Sequence, residues 1–344
     1  MPTTLADIAR ALGVSKMTVS RAINNHPEIS PETRTRILEA AQRMNYRPNQ
    51  HARALTTNRS YLLGVVVPDL MHSYFAEICR GVEAVAGPVG YQNLICSTDE
   101  DATIEQREIE ALLPRTDGLI VASSASPQGT GFYRRIMKEG AKLVLIDREL
   151  EGLRCVAVTT DDVKVGLLAT EHLIKLGHRR VGHLKGTEAS TATLRLEGYK
   201  QALAKHRLPF DSSLVRDCGF TERDGYESMS AWIKQGNAPA AIFAANDPAA
   251  IGAMSAIDEA GLRIPDDVAL VGGGNIHYGD MLKVPLTTVA WSTIEMGQAA
   301  AQLLIELVEG KRKRKEQHVI VGPELVVRES CGATKAGFSA NGAE

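Results

Sequence analysis

Apolar residues in the first 46 positions recur at helical spacing. Leu5, Ile8, Ala9 and Leu12 fall at i, i+3, i+4 and i+7 and form one stripe of a short helix, which Gly13 then breaks. Ser15 is a good N-cap for a second helix through Asn24, with Val19, Ala22 and Ile23 turned inward. Ser30 as N-cap and Pro31 as first helical residue open a third helix, expected to bury Ile37, Leu38, Ala41 and Met44. Past residue 60 the pattern changes to short apolar runs separated by amphipathic stretches. The runs cover 62–67, 92–96, 118–121, 143–146, 156–159, 180–184, 241–245 and 268–271. Such alternation predicts parallel strands covered by helices on both faces, and about 270 residues suffice for two such sheets. The fold class is therefore an all-α headpiece followed by an α/β body with parallel sheets.

Charge sharpens this division. The 344 residues carry 39 Lys and Arg against 41 Asp and Glu, a net of -2. Residues 1–59 hold nine basic and four acidic side chains, a net of +5, which leaves -7 for the remainder. That asymmetry points to a basic nucleic-acid module on an acidic body. Helix, glycine-containing turn, helix and supporting helix is the layout of a helix-turn-helix DNA reader. In such a unit Ser15, Lys16, Met17, Thr18 and Arg21 would meet base edges in the major groove. Lys and Arg can donate to guanine O6 and N7, Met17 offers apolar contact, and the hydroxyls of Ser15, Thr18 and Ser20 suit phosphate oxygens. A three-helix protein-interaction module is compatible with the same patterning.

Other classes lose support. No window approaches the roughly 18 apolar residues of a membrane span. The first ten residues read as a polar helix start rather than a signal core, so no membrane partner and a cytoplasmic location are expected. Five cysteines, far apart and without a Cys-x-x-Cys pair, read as buried free thiols. Nucleotide-binding, zinc-protease and nucleophile-elbow motifs are all missing, so no catalytic residue, cofactor or metal is expected. His172, His178 and His183 do not share a helical face and read as structural or surface residues. The run Lys311 to Lys315 reads as a solvated loop.

The string Thr4-Leu5-Ala6-Asp7-Ile8-Ala9, with Gly13-Val14-Ser15, Thr18-Val19-Ser20-Arg21, Ile23-Asn24 and Tyr46-Arg47-Pro48-Asn49, resembles the headpiece of the lactose/galactose repressor (LacI/GalR) family of bacterial transcription regulators. The resemblance continues through Ala52-Arg53, Leu55, Gly64 and Pro68-Asp69 to Glu324-Leu325-Val326-Val327-Arg328-Glu329-Ser330. It implies a ligand-responsive DNA-binding regulator, a repressor of a carbohydrate catabolic operon, acting as a homodimer or larger on a near-palindromic operator. It adds Thr4, Asn24 and Tyr46 to the DNA-contacting residues. It implies a headpiece at 1–47, a hinge helix at 48–59, an effector-binding and dimerisation domain at 60–330, and a flexible tail at 331–344. Within that domain the implied N-lobe is about 60–160 plus 290–320 and the C-lobe about 161–289 plus 321–330. The hinge is short and polar, and helices under about 12 residues are marginal alone. In the family it orders on the operator with a leucine wedged into the minor groove, a place that Leu55 matches, with Asn49, Ala52 and Arg53 beside it.

Open parallel sheets bind ligands beyond the carboxyl ends of their strands. Polar residues there are Asp69, Ser123, Ser124, Asp147, Asn246, Asp247 and Asn275. The body resembles the two-lobed, periplasmic-binding-protein-like effector domain of the same family, which implies Tyr74, Phe75, Asp147, Arg195, Phe220 and Asn246 around a small effector. Carboxylate, amide and guanidinium groups beside aromatic rings suit a sugar or another polar metabolite, although each can serve instead as a helix cap or ion-pair partner. Gly272-Gly273-Gly274-Asn275 stands where the family often has Gly-aromatic-Asp-Asp. With that carboxylate missing and Arg195 kept, a sugar acid or phosphorylated sugar joins the neutral sugars as an expected effector. The rival is a solute-binding protein or sugar-modifying enzyme sharing the body fold, which a secretory signal or a nucleophile with its base would have marked.

Overall fold

The computed structural model describes residues 3–23, 26–46, 59–126, 129–187, 189–312 and 316–333. The chain divides into two compact units, Met1–Ser60 and Tyr61–Glu344.

The first unit packs α1 (Leu5–Leu12), α2 (Lys16–Ile23) and α3 (Pro31–Arg43) around Ile8, Val19, Ala22, Ile37, Ala40 and Ala41. Thr4 and Asp7 close a capping box on α1, and Gly13 ends it at φ 64, in the left-handed region open to glycine. Ser30 accepts from Thr33 N to cap α3, with Pro31 in the first turn. Leu38, expected in this core, is 47% exposed. The buried stripe from Ile37 runs through Ala40 and Ala41 at i+3 and i+4, and Leu38 lies about 100° around the helix from it.

The described residues of the second unit form two six-stranded sheets. The first joins β1 (Leu62–Val67), β2 (Gln92–Ser97), β3 (Gly118–Val121), β4 (Leu143–Ile146), β5 (Val156–Thr160) and β11 (Gln317–Val321) in the order β11-β5-β4-β3-β1-β2, all parallel. The second joins β6 (Gly182–Lys185), β7 (Val215–Asp217), β8 (Ala241–Ala244), β9 (Ala269–Gly273), β10 (Thr287–Ala290) and β12 (Glu324–Val326) in the order β12-β10-β9-β8-β6-β7. Its β12 edge is antiparallel, a departure from the all-parallel expectation. The chain passes between the sheets after β5, after β10 and after β11. Between the strands run α4 (Ser73–Ala86), α5 (Ala102–Leu112), α6 (Thr130–Lys138), α7 (Asp162–Lys175), α8 (Ser190–Lys205), α9 (Glu222–Lys234), α10 (Asp247–Glu259) and α11 (Thr293–Val308).

Three helix pairs, α4 with α11, α7 with α8 and α9 with α10, meet backbone to backbone. A Cβ at Gly81 or Gly297, Gly166 or Gly198, or Gly225 or Gly252 would collide with a carbonyl of the opposite helix. The five cysteines are free thiols, with Cys79, Cys155 and Cys331 buried. Residues 331–333, assigned to a flexible tail from the sequence, are packed instead: Cys331 and Ala333 are buried, and Thr287 Oγ1 donates to Cys331 Sγ at 3.1 Å. Residues 334–344 lie outside the described residues. Among the described residues no helix is long and apolar enough to cross a membrane, and no cluster of metal-binding side chains occurs.

Candidate functional site

A cavity of about 340 Å³ lies beyond the carboxyl ends of both sheets, within the roughly 300–1,000 Å³ of small-molecule sites. Tyr74 and Phe75 reach it from the first turn of α4. His72 caps that helix by accepting Tyr74 N–H on Nδ1 at 3.2 Å. Burial holds the His72 ring down at about 4, so it is neutral at ordinary pH. Tyr74 donates its hydroxyl to Asp147 Oδ1 at 2.5 Å and accepts from Trp291 Nε1 at 3.2 Å. Burial first, then the Asp147 charge, raises the Tyr74 phenol well above its usual 10. Asp147 directly follows β4 with φ 66, a left-handed backbone that is uncommon outside glycine and clusters at functional sites.

Two guanidiniums enter the cavity, and both are already engaged. Arg148, 4% exposed, donates both Nη atoms to Glu100 at 2.6 Å and lies 5.1 Å over the Phe220 ring from the other lobe. Arg195 donates Nε to Asp162 Oδ1 at 2.8 Å and Nη1 to Ala245 O at 2.5 Å, and lies 5.1 Å over Trp291. Burial pushes Asp162 up to about 6 even with Arg195 beside it. Against these two cations the cavity lining carries Asp69, Asp99, Glu100, Asp147 and Asp224. The cleft therefore keeps more carboxylates than guanidiniums even though Asn275 stands where the family often has an acid.

Of the effector residues read from the sequence, Tyr74, Phe75, Asp147, Arg195, Phe220 and Asn246 line this cavity. Asn246 is also the N-cap of α10, accepting from Ala249 N, and it donates Nδ2 to Phe220 O at 2.8 Å. Ser123 and Asn275, also expected at the effector, do not line this cavity. Ser123 donates to the buried Glu105 at 2.8 Å and accepts from Tyr133 at 3.0 Å, which commits its hydroxyl to the interior of the first lobe. Asn275, at φ 53, accepts from Arg328 Nη2 at 2.7 Å. The glycine run before it has its own cause: a Cβ on Gly272 would strike the Asp247 carboxylate, which binds Ile276 N and Thr288 Oγ1. Sequence reading missed Arg148 and Trp291. Arg148 adjoins Asp147 after a recognised strand and was within reach, whereas Trp291 follows β10, a strand that its threonines disguised.

In the first unit Lys16, Met17 and Arg21 stand exposed on α2, and Met17 is 63% exposed. Ser15 Oγ accepts from Thr18 N at 3.0 Å and pairs with Thr18 Oγ1 at 2.8 Å, so these two hydroxyls shape the helix start. Ser20 is half-buried on the same helix, Thr4 caps α1, and Tyr46 packs against the three-helix core. Asn24, Asn49, Ala52, Arg53 and Leu55 lie outside the described residues. The three histidines do not assemble: His183 is stacked between Tyr199 and Phe243, and His172 Nε2 lies 3.2 Å from Cys331 Sγ. Of the cationic run, Lys311 pairs with Glu309 and Arg312 with Glu306, and residues 313–315 lie outside the described residues.

Comparison with known proteins places this geometry among relatives. Residues 4–49 match the family model "Bacterial regulatory proteins, lacI family", and residues 170–331 match a periplasmic binding protein-like domain. The HTH-type transcriptional regulator DegA of Bacillus subtilis (strain 168) is 36% identical over 96% of this chain and 98% of its own. The HTH-type transcriptional repressor PurR of Haemophilus influenzae (strain PittEE) is 33% identical over 95% and 98%. Among solved structures, the lac repressor dimer bound to operator and the anti-inducer ONPF is similar with a TM-score of 0.84 at 26% identity, covering 96% of this chain and 99% of that one.

Proposed function

The chain belongs to the LacI family of bacterial regulatory proteins, and from that premise we propose that it represses a carbohydrate catabolic operon under control of a small neutral sugar held in the cleft. Members of this family are ligand-responsive transcriptional regulators that bind operator DNA as dimers, not enzymes. The proposal adds the chemistry of the effector and the mode of DNA reading.

One observation carries the sugar assignment. Four carboxylates, Asp69, Asp99, Asp147 and Asp224, line the cleft beyond Glu100, which with Asp162 pairs its two guanidiniums. A neutral polyol offers hydroxyl hydrogens to the surplus acceptors and apolar C–H faces to Phe75 and Trp291. A sugar acid or phosphate instead meets those carboxylates as like charges, and the two guanidiniums among the described lining residues are already ion-paired, which costs affinity. On the DNA side, α2 reads each half-site in the major groove from Lys16, Met17 and Arg21, and Leu55 wedges the central minor-groove step. Two-fold symmetry then calls for a near-palindromic operator. Effector binding need shift the operator equilibrium by only about 1–3 kcal/mol to act as a switch.

Calorimetry and melting shifts with neutral sugars, sugar acids, sugar phosphates and purine bases test the assignment. A neutral sugar is expected to bind and to change operator affinity. Tight binding of an anion or a purine with no response to neutral sugars overturns it.

A further inference from the structure

Arg21 occupies the last turn of α2, one helical turn beyond Met17 and on the same exposed face. Among the described residues its side chain has one polar partner: Nη1 donates to Glu28 Oε2 at 2.7 Å. Glu28 lies between α2 and α3, and the described residues around it, 26–30, are held by α3 and by one another. Arg34, from α3, donates Nη2 to His26 O at 2.8 Å and to Ile29 O at 3.5 Å. Glu28 N donates to His26 Nδ1 at 3.4 Å, and Ile29 packs on the headpiece core. The carboxylate that holds Arg21 is thus presented from a segment hydrogen-bonded to α3.

A carboxylate beside a DNA-reading helix weakens attraction to phosphates, which is the sequence-independent part of affinity. Its return is positional. With Nη1 engaged, Nε and Nη2 remain as a two-pronged donor edge for guanine O6 and N7, and a long side chain with high rotamer freedom is already oriented. We propose that Glu28 is a positioning residue for base readout, which raises discrimination between sequences while lowering nonspecific affinity. The inference rests on reading α2 as the recognition helix and Arg21 as a base contact.

The test uses the full chain and an operator obtained by in vitro selection from random duplexes. Dissociation constants are measured for operator, for single-base operator variants and for a scrambled duplex, with E28Q, R21K and the double variant. E28Q is expected to tighten scrambled binding and to lower the operator-to-scrambled ratio by about tenfold, the loss concentrated at one G·C pair. In the R21K background E28Q should leave the ratio unchanged. An equal tightening on both duplexes, or an equal fall in ratio without Arg21, overturns the positioning role. If R21K alone leaves every base preference intact, the recognition-helix reading of Arg21 falls, and the proposal falls with it.

Discussion

Replacing Arg195 by Met keeps most of the apolar stem but strips the buried Asp162 of its cation. Asp162 is 3% exposed and sits at about 6 rather than its usual 3.8, with burial as the largest cause and Arg195 as the main opposing one. A carboxyl whose folded value is raised contributes stability that is present below 3.8 and lost as pH rises through about 6. Without Arg195 the folded value climbs further, so the loss continues at higher pH. Each pH unit over which Asp162 is ionised in the unfolded chain but still protonated in the folded variant widens the gap to wild type by about 1.4 kcal/mol. Loss of the stacking on Trp291 adds about 1 kcal/mol that does not depend on pH. Denaturation of wild type and Arg195→Met should therefore give a larger deficit at pH 8 than at pH 5.5, on top of the pH-independent loss of the Trp291 stacking and of the donor to Ala245 O. Asp162→Asn in the same background should flatten that dependence, and both variants should lose the effector response. Equal deficits at the two pH values, or no flattening by Asn, would refute the claim that a stranded carboxylate carries the cost.

Three further outcomes follow from the same features. Deleting residues 1–59 should abolish operator binding in a mobility-shift assay while calorimetry still registers the effector; operator binding that survives contradicts the division of labour. Leu55→Ala should weaken operator binding far more than binding to a scrambled duplex, and an equal loss on both would count against the wedge. His183 is fully buried with its pKa held near 4, so stability is full above 6.5 and falls as acid protonates the unfolded chain, by up to about 3 kcal/mol. His183→Gln should make the stability profile between pH 7 and pH 4.5 shallower, and an unchanged slope removes His183 as its source.

The sheets were legible because strands buried on both faces leave unbroken apolar runs, as in Leu62–Val67 and Leu143–Ile146. β10 escaped because Thr287 and Thr288 look solvent-facing until their hydroxyls find Cys331 and Asp247. The cleft was legible in position but not in direction. A place at a strand end says where a residue is, not where its side chain turns, and Ser123 and Asn275 turned to Glu105 and Arg328. Arg148 acquires its meaning only when Phe220 of the opposite lobe comes within reach, a relation across 72 positions that no local pattern encodes.

The glycine-lined helix pairs have a consequence for how such a sensor can change. Gly166 rests against the carbonyl of Arg195, and Gly81 against that of Ile294, so these helices meet main chain to main chain there, while Arg195 with Asp162 and Thr293 with Glu77 tie the same pairs through side chains. Cleft side chains that lie off those helices, such as Phe220, can be exchanged without touching these contacts. What is sensed and how the lobes move are then separable properties: a new ligand preference can be written into the cleft while the mechanics that relay it stay as they were.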